Sequence, residues 1–198
     1  METRRFYTRI ERSGLKQLME EYTFESYIAT EPWQRKAKTM AEKFLTDYHG
    51  KWFFAGGQVG SGKTHLCTAM VGRFLTEGKA AKYMLWRDEI VSIKAVVTED
   101  DVYSKKINEL KKVPVLYIDD FFKTERGKQP TTAEINIAFE LLNYRCNNKD
   151  LITIISSERL IDDLIDVDEA VGSRIYQRVK DYCLVIDYDR SKNYRLKG

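Results

Sequence analysis

The sequence predicts an α/β fold built on a parallel five-stranded sheet, and three observations carry that reading. Short apolar, β-prone runs recur at residues 51–55, 80–86, 113–119, 151–156 and 182–187, each of a length that suits a strand. Longer segments with helical periodicity separate them, and such alternation closes into a parallel sheet through crossover helices. The runs hold few polar residues, as strands covered on both faces require.

Residues 1–50 read as two helices around a break at Glu31-Pro32, with Tyr22, Phe24 and Tyr27 between them, because the residue before a proline avoids helical backbone. They form an N-terminal helical segment packed on a core that spans residues 51–198, one domain overall. A chain of 198 residues, 43% of them hydrophobic, suits one sizeable core rather than two. After the first strand, Leu66, Met70, Phe74 and Leu75 share one helical face, and Gly78 closes that helix as a C-terminal cap. A later helix over residues 131–145 follows Pro130 and repeats apolar residues at Ile135, Ala138, Phe139 and Leu142. These stripes are core rather than sites.

Composition narrows the classes of function. The sequence has no run of about 18 apolar residues that would span a bilayer, and its opening, METRRFYTRIERS, lacks the apolar stretch of a secretory signal. The expectation is a soluble, cytoplasmic protein with no membrane association. Cys67, Cys146 and Cys183 lie far apart with no CxxC pair, which indicates buried free thiols rather than a disulfide framework or a zinc site. His49 and His65 cannot make a metal cluster alone, so metal should arrive with a nucleotide. A net charge of +3 permits contact with nucleic acid without demanding it.

The segment Gly57-Gln58-Val59-Gly60-Ser61-Gly62-Lys63-Thr64 matches GxxxxGK[ST], placed after an apolar strand and before an amphipathic helix. Glycines 57, 60 and 62 let the backbone turn its N–H groups inward, and the positive end of the following helix adds to the pull on a triphosphate. Lys63 would reach the β and γ phosphates, and Thr64 would give its hydroxyl to magnesium. The contacting set is Gly57, Gly60, Ser61, Gly62, Lys63, Thr64 and His65. A second site is the strand end Val113-Pro-Val-Leu-Tyr-Ile-Asp119-Asp120. Open parallel sheets bind ligands at the carboxyl ends of their strands, so Asp119 should emerge beside the glycine loop and hold magnesium through water. Asp120 is then placed to orient or deprotonate the attacking water. At a third strand end, Ile154-Ile155-Ser156-Ser157-Glu158, Ser156 or Ser157 could touch the γ phosphate or the lytic water. Ser157 could equally cap the helix after it.

Together the series GQVGSGKT, VLYIDD, TIISSE and GSRIYQR resembles the AAA+ ATPases of the DnaC and IstB type, loaders of replicative helicases and ATPase helpers of some transposons. The resemblance covers roughly residues 20–195. It implies ATP with Mg2+ as cofactors and a sheet ordered 5-1-4-3-2. It also implies Walker B acids at Asp119 and Asp120, and the sensor-1 position at Ser156 or Ser157. Arg178 matches the family's arginine finger, with Arg174 one helical turn before it; the alternative is a solvated basic helix face. A helical insertion that meets single-stranded DNA is implied between the second and third strands, where residues 87–112 fit. Arg87, Lys94, Lys105, Lys106, Lys111 and Lys112 fall there, but so do Asp100, Asp101 and Glu109, so a mixed solvated face explains them as well.

Two features depart from the family pattern. AAA+ proteins follow the fifth strand with a helical lid, yet only about ten residues follow Asp187, so the lid is expected to be missing, as in loaders of this type. Phe24 and Tyr27 are the candidates to close the adenine pocket instead. Family loaders also carry a separate N-terminal domain that grips the helicase, and the resemblance leaves the expectation that almost none of it lies in these residues. The leading expectation is a slow ATPase that oligomerises with ATP on single-stranded DNA and helps place a ring helicase. An IstB-like transposition helper, a P-loop small-molecule kinase and a non-hydrolysing adaptor are the alternatives.

Overall fold

A computed structural model describes residue 11, residues 14–125 and residues 127–196. The opening stretch and the start of the N-terminal helical segment therefore lie largely outside the described residues. Five parallel strands form one sheet: β1 (Phe53–Gly57), β2 (Ala81–Leu85), β3 (Val115–Asp119), β4 (Ile152–Ser157) and β5 (Cys183–Ile186). Their order is β2-β3-β4-β1-β5, which is 5-1-4-3-2 counted from the other edge. The helices are α1 (Lys16–Glu21), α2 (Pro32–Phe44), α3 (Lys63–Thr76), α4 (Trp86–Lys94), α5 (Asp100–Lys112), α6 (Thr132–Cys146), α7 (Ile161–Val167) and α8 (Glu169–Val179). Short 3-10 turns at Arg190–Lys192 and Tyr194–Leu196 follow β5. None of the described helices is long and apolar enough to cross a membrane.

Strand alternation sorts the core into two layers. Phe53, Ala55, Val115, Tyr117, Ile152 and Ile154 face α1, α2 and α3. Phe54, Leu116, Ile118 and Ile155 face the layer that contains α4 to α8, because successive side chains on a strand point to opposite faces. Every residue of β1, β3 and β4 is buried, whereas the edge strands β2 and β5 keep half-exposed positions. Pro32 opens α2 at its first turn, where a missing N–H costs nothing. Phe44, at the end of α2, packs its ring against Phe53, Phe74 and Tyr182, which fixes the N-terminal segment to β1, α3 and β5.

Two boundaries differ from the periodicity. Strand β1 runs on through Gly56 and Gly57, which read as loop, because Ser157 of β4 and Ile186 of β5 pair with them in register. A side chain at Gly56 would put its Cβ 2.7 Å from the Arg159 carbonyl oxygen. Trp86 opens α4 instead of closing β2. Residues 87–112 fold as helices α4 and α5 across one turn, and Thr131 caps α6 with its partner Glu134 in a reciprocal box.

Candidate functional site

The loop after β1 has the backbone that its glycines allow. Gly57 has φ 105° and Gly60 φ 68°, left-handed values that L side chains rarely adopt. At Gly57 space forbids a side chain as well, since a Cβ would lie 2.0 Å from the Ile186 carbonyl oxygen; at Gly60 it would meet the Asn193 side chain. The Ser61 hydroxyl donates to the Gln58 carbonyl at 2.7 Å. Lys63 leaves the first turn of α3 and donates from Nζ to the carbonyls of Gly57 (2.8 Å) and Gln58 (2.6 Å). Burial pushes this ammonium down from its ordinary value, and the acidic groups around it oppose that shift.

Asp119 ends β3 as a buried carboxylate. Its Oδ1 accepts from Thr64 Oγ1 at 3.2 Å, from the Asp120 N–H at 3.1 Å and from Ser156 Oγ; its Oδ2 accepts from Tyr83 OH at 3.1 Å. Burial, and next the charge of Asp119, push the Tyr83 hydroxyl well above the usual tyrosine value. Thr64 and Asp119 thus bring two hard oxygen donors together at the base of the glycine loop, the chemistry a magnesium ion accepts.

The chain then turns sharply. Asp120 and Phe122 have φ 52° and 54°, and the Lys123 N–H closes the turn on the Asp120 carbonyl at 3.0 Å. Buried rings of Phe121 and Phe122 stack 4.2 Å apart between centroids and anchor it. Lys123 Nζ lies 2.9 Å from Asp120 Oδ2 and 2.7 Å from Glu158 Oε1.

These groups open into one cavity of about 410 Å³. Gly60 to His65, Asp119, Asp120, Lys123 and Glu158 line its polar side, and Tyr22, Tyr27, Ile28, Val59 and Tyr194 line the other. The Tyr194 N–H donates to the Gly60 carbonyl at 2.9 Å. Its hydroxyl donates to the Ile28 carbonyl at 3.1 Å and accepts from Gln34 Nε2. The turn after β5 and the segment between α1 and α2 therefore meet over the cradle. Of the two residues expected to close an adenine pocket, Tyr27 lines this cavity, while Phe24 is buried in the core beside it.

The model for the bacterial DnaA ATPase domain matches residues 18–180. The chain belongs to that family. Among curated relatives, the uncharacterised protein YqaM of Bacillus subtilis is 38% identical over 143 residues, 71% of this chain and 44% of that protein. The phage-like element PBSX protein XkdC of the same organism is 37% identical over 145 residues, 72% of this chain and 53% of that protein. The chain thus spans about half the length of these relatives. The crystal structure of the DnaC helicase loader superposes with TM-score 0.69 at 18% identity, over 86% of this chain and 98% of that one. The replication initiator DnaA bound to AMPPCP and single-stranded DNA superposes with TM-score 0.67 at 22% identity, over 89% and 54%. Both likenesses show the AAA+ fold.

Not every residue singled out from the sequence reaches the cavity of this DnaA-family domain. Ser156 sits beneath Asp119, with Tyr117 OH 3.3 Å from its hydroxyl, and Ser157 Oγ donates to the Phe121 carbonyl at 2.8 Å while accepting from the Arg159 N–H. Neither lines the cavity; Glu158, the first residue past the strand, does. His65 lines it at one edge, but its ring stacks on Tyr22 (4.8 Å) and bonds the Thr23 carbonyl (2.8 Å), pinning the α1–α2 segment. Arg178 lies on α8 with its guanidinium over Trp52 and one bond to the Asn148 carbonyl at 3.3 Å. Both neighbours precede strands, so Arg178 stands at the end of the sheet opposite the cradle. Arg174 bonds Asn143 and the Ala170 carbonyl. Sequence reasoning missed Tyr83, Lys123, Glu158 and Tyr194. For Glu158 a signal existed, since the carboxyl end of a parallel strand is where ligands meet a sheet.

Proposed function

We propose that this domain binds ATP with Mg2+ in the Gly57–Thr64 cradle, hydrolyses it slowly, and couples that cycle to assembly on single-stranded DNA and to a ring helicase. The observation that carries the reading is the convergence of Lys63, Thr64, Asp119 and Asp120 on one cavity at the carboxyl ends of β1 and β3. A cradle whose glycines hold left-handed backbone, beside paired hydroxyl and carboxylate oxygens, fits a magnesium-bound triphosphate. Magnesium, when bound, neutralises charge on the β and γ phosphates.

Lys63 is held at the lip of the loop by two carbonyls and serves the β and γ phosphates. Thr64 and Asp119 hold the ion, with Tyr83 fixing the second Asp119 oxygen. Asp120 accepts the proton of the attacking water as its oxygen bonds to the γ phosphorus and the bond to the bridging oxygen breaks. Tyr27, Ile28 and Tyr194 receive the base. The likeness to a helicase loader and to an initiator solved with single-stranded DNA supports the replicative partners.

Two variants test the assignment. Lys63→Ala should abolish the stabilisation by Mg-ATP seen in thermal or urea unfolding, which at one hundred times the dissociation constant is about 2.7 kcal/mol. Asp120→Asn should keep that stabilisation and release phosphate at least about tenfold more slowly, because an amide holds a water but cannot take its proton. Undiminished stabilisation of the first variant, or undiminished turnover of the second, would overturn the cradle or the base respectively. A phosphorylated small-molecule product in place of free phosphate would instead identify a kinase.

A further inference from the structure

The strained turn after β3 does more than end the strand. Asp120 and Phe122 both occupy left-handed backbone, at a cost of about 1–3 kcal/mol each for residues other than glycine. Much of the surroundings holds the turn in place. Ser157 Oγ donates to the Phe121 carbonyl at 2.8 Å, Arg159 Nε donates to the Phe122 carbonyl at 3.2 Å, and Trp86 packs edge-on to both phenylalanine rings. The result is that Asp120 and Lys123, three residues apart, point into the same cavity, where Glu158 arrives from β4. One ammonium is thereby shared by two carboxylates, at 2.9 Å and 2.7 Å.

We propose that Lys123 is a positioning residue that acts as a brake on turnover: its ion pair holds the Asp120 carboxylate away from the attacking water. The inference rests on the reading of Asp120 as the base. The Asp120 Oδ2 must leave Lys123 before it can bond a water in line with the phosphate. Glu158 competes for the same ammonium and sets how firmly the brake is held. The pair is partly open to solvent, with side-chain exposures of 33% for Lys123 and 30% for Asp120, so its effect is modest, a factor of about two to five.

The test measures kcat and KM for ATP at protein concentrations low enough to hold the domain monomeric. Lys123→Met and Lys123→Gln should each raise kcat about twofold to fivefold with KM within twofold of wild type, and Lys123→Arg, which restores the cation, should return kcat to the low value. A merely structural lysine would lower kcat or move KM on removal, and would never raise turnover. The gain should vanish when Lys123→Met is combined with Asp120→Asn. Unchanged or reduced kcat in both neutral variants, with Asp120→Asn still slow, overturns the brake and leaves the base intact. An Asp120→Asn variant that turns over as wild type overturns the base, and the brake with it.

Discussion

Arg145 has no part in the candidate site, yet its guanidinium makes five hydrogen bonds that tie α6 to α5 and β4. Its guanidinium is fully buried on α6 and donates to the carbonyls of Leu110, Lys111, Val113 and Ile152 and to Thr153 Oγ1. Three of those carbonyls end α5 or follow it, where a helix leaves acceptors without partners, and the other bonds bind the start of β4. Burial pulls this guanidinium down to about 9, yet at neutral pH it stays charged, with neutral dipoles rather than a carboxylate as partners. Arg145→Met should lower unfolding stability by about 3–4 kcal/mol, since removing the donors strands buried acceptors; urea titration with an unchanged m-value checks this. No sequence signal marks Arg145, because an arginine on a helix is normally a solvated residue and its five acceptors come from segments far apart in the chain. Lys63, by contrast, bonds the carbonyls of Gly57 and Gln58 within its own motif, a local spacing the sequence displays.

Among the elements, the turn after β5 is the least legible and the most consequential for the base. Residues 190–196 carry no helical or strand period, so the sequence alone gives them no role. What they do depends on contacts with Gly60, Gln34 and Ile28, segments remote in sequence. Tyr194→Ala should keep the backbone bond to Gly60 but lose the hydroxyl contacts and the ring beside Trp33. ATP affinity should fall about threefold to tenfold, within the range aromatic contacts supply, while affinity for inorganic triphosphate stays unchanged. Calorimetry with both ligands separates the two; an equal loss for triphosphate would mean that the turn supports the phosphate cradle instead. The same limitation shifted β1: Gly56 and Gly57 belong to the strand through pairing with β4 and β5, a tertiary decision that overrides their weak strand propensity.

At the level of the molecule, the five strands followed from period and apolarity, whereas their order came from the family resemblance, since periodicity says nothing about which strands are neighbours. The placement of Arg178 at the far end of the sheet from Lys63 matters only if molecules associate. A guanidinium there can serve a neighbour's phosphates, and such fingers raise turnover by about a thousandfold or more. Among the described residues its Nε is buried with no partner and its guanidinium makes one hydrogen bond, 3.3 Å long, so extending it costs that bond and the contact over Trp52. Specific ATPase activity should rise with protein concentration, and inactive Arg178→Ala mixed with inactive Lys63→Ala should recover part of it. Co-assembly without recovery would return Arg178 to a packing role against Trp52. The meeting of Tyr27 and Tyr194 has a further consequence. A nucleotide held between them acts as a removable clasp between stretches near opposite ends of the sequence. It binds the folded domain and not the unfolded chain, so occupancy should raise the force needed to pull the domain open from its ends.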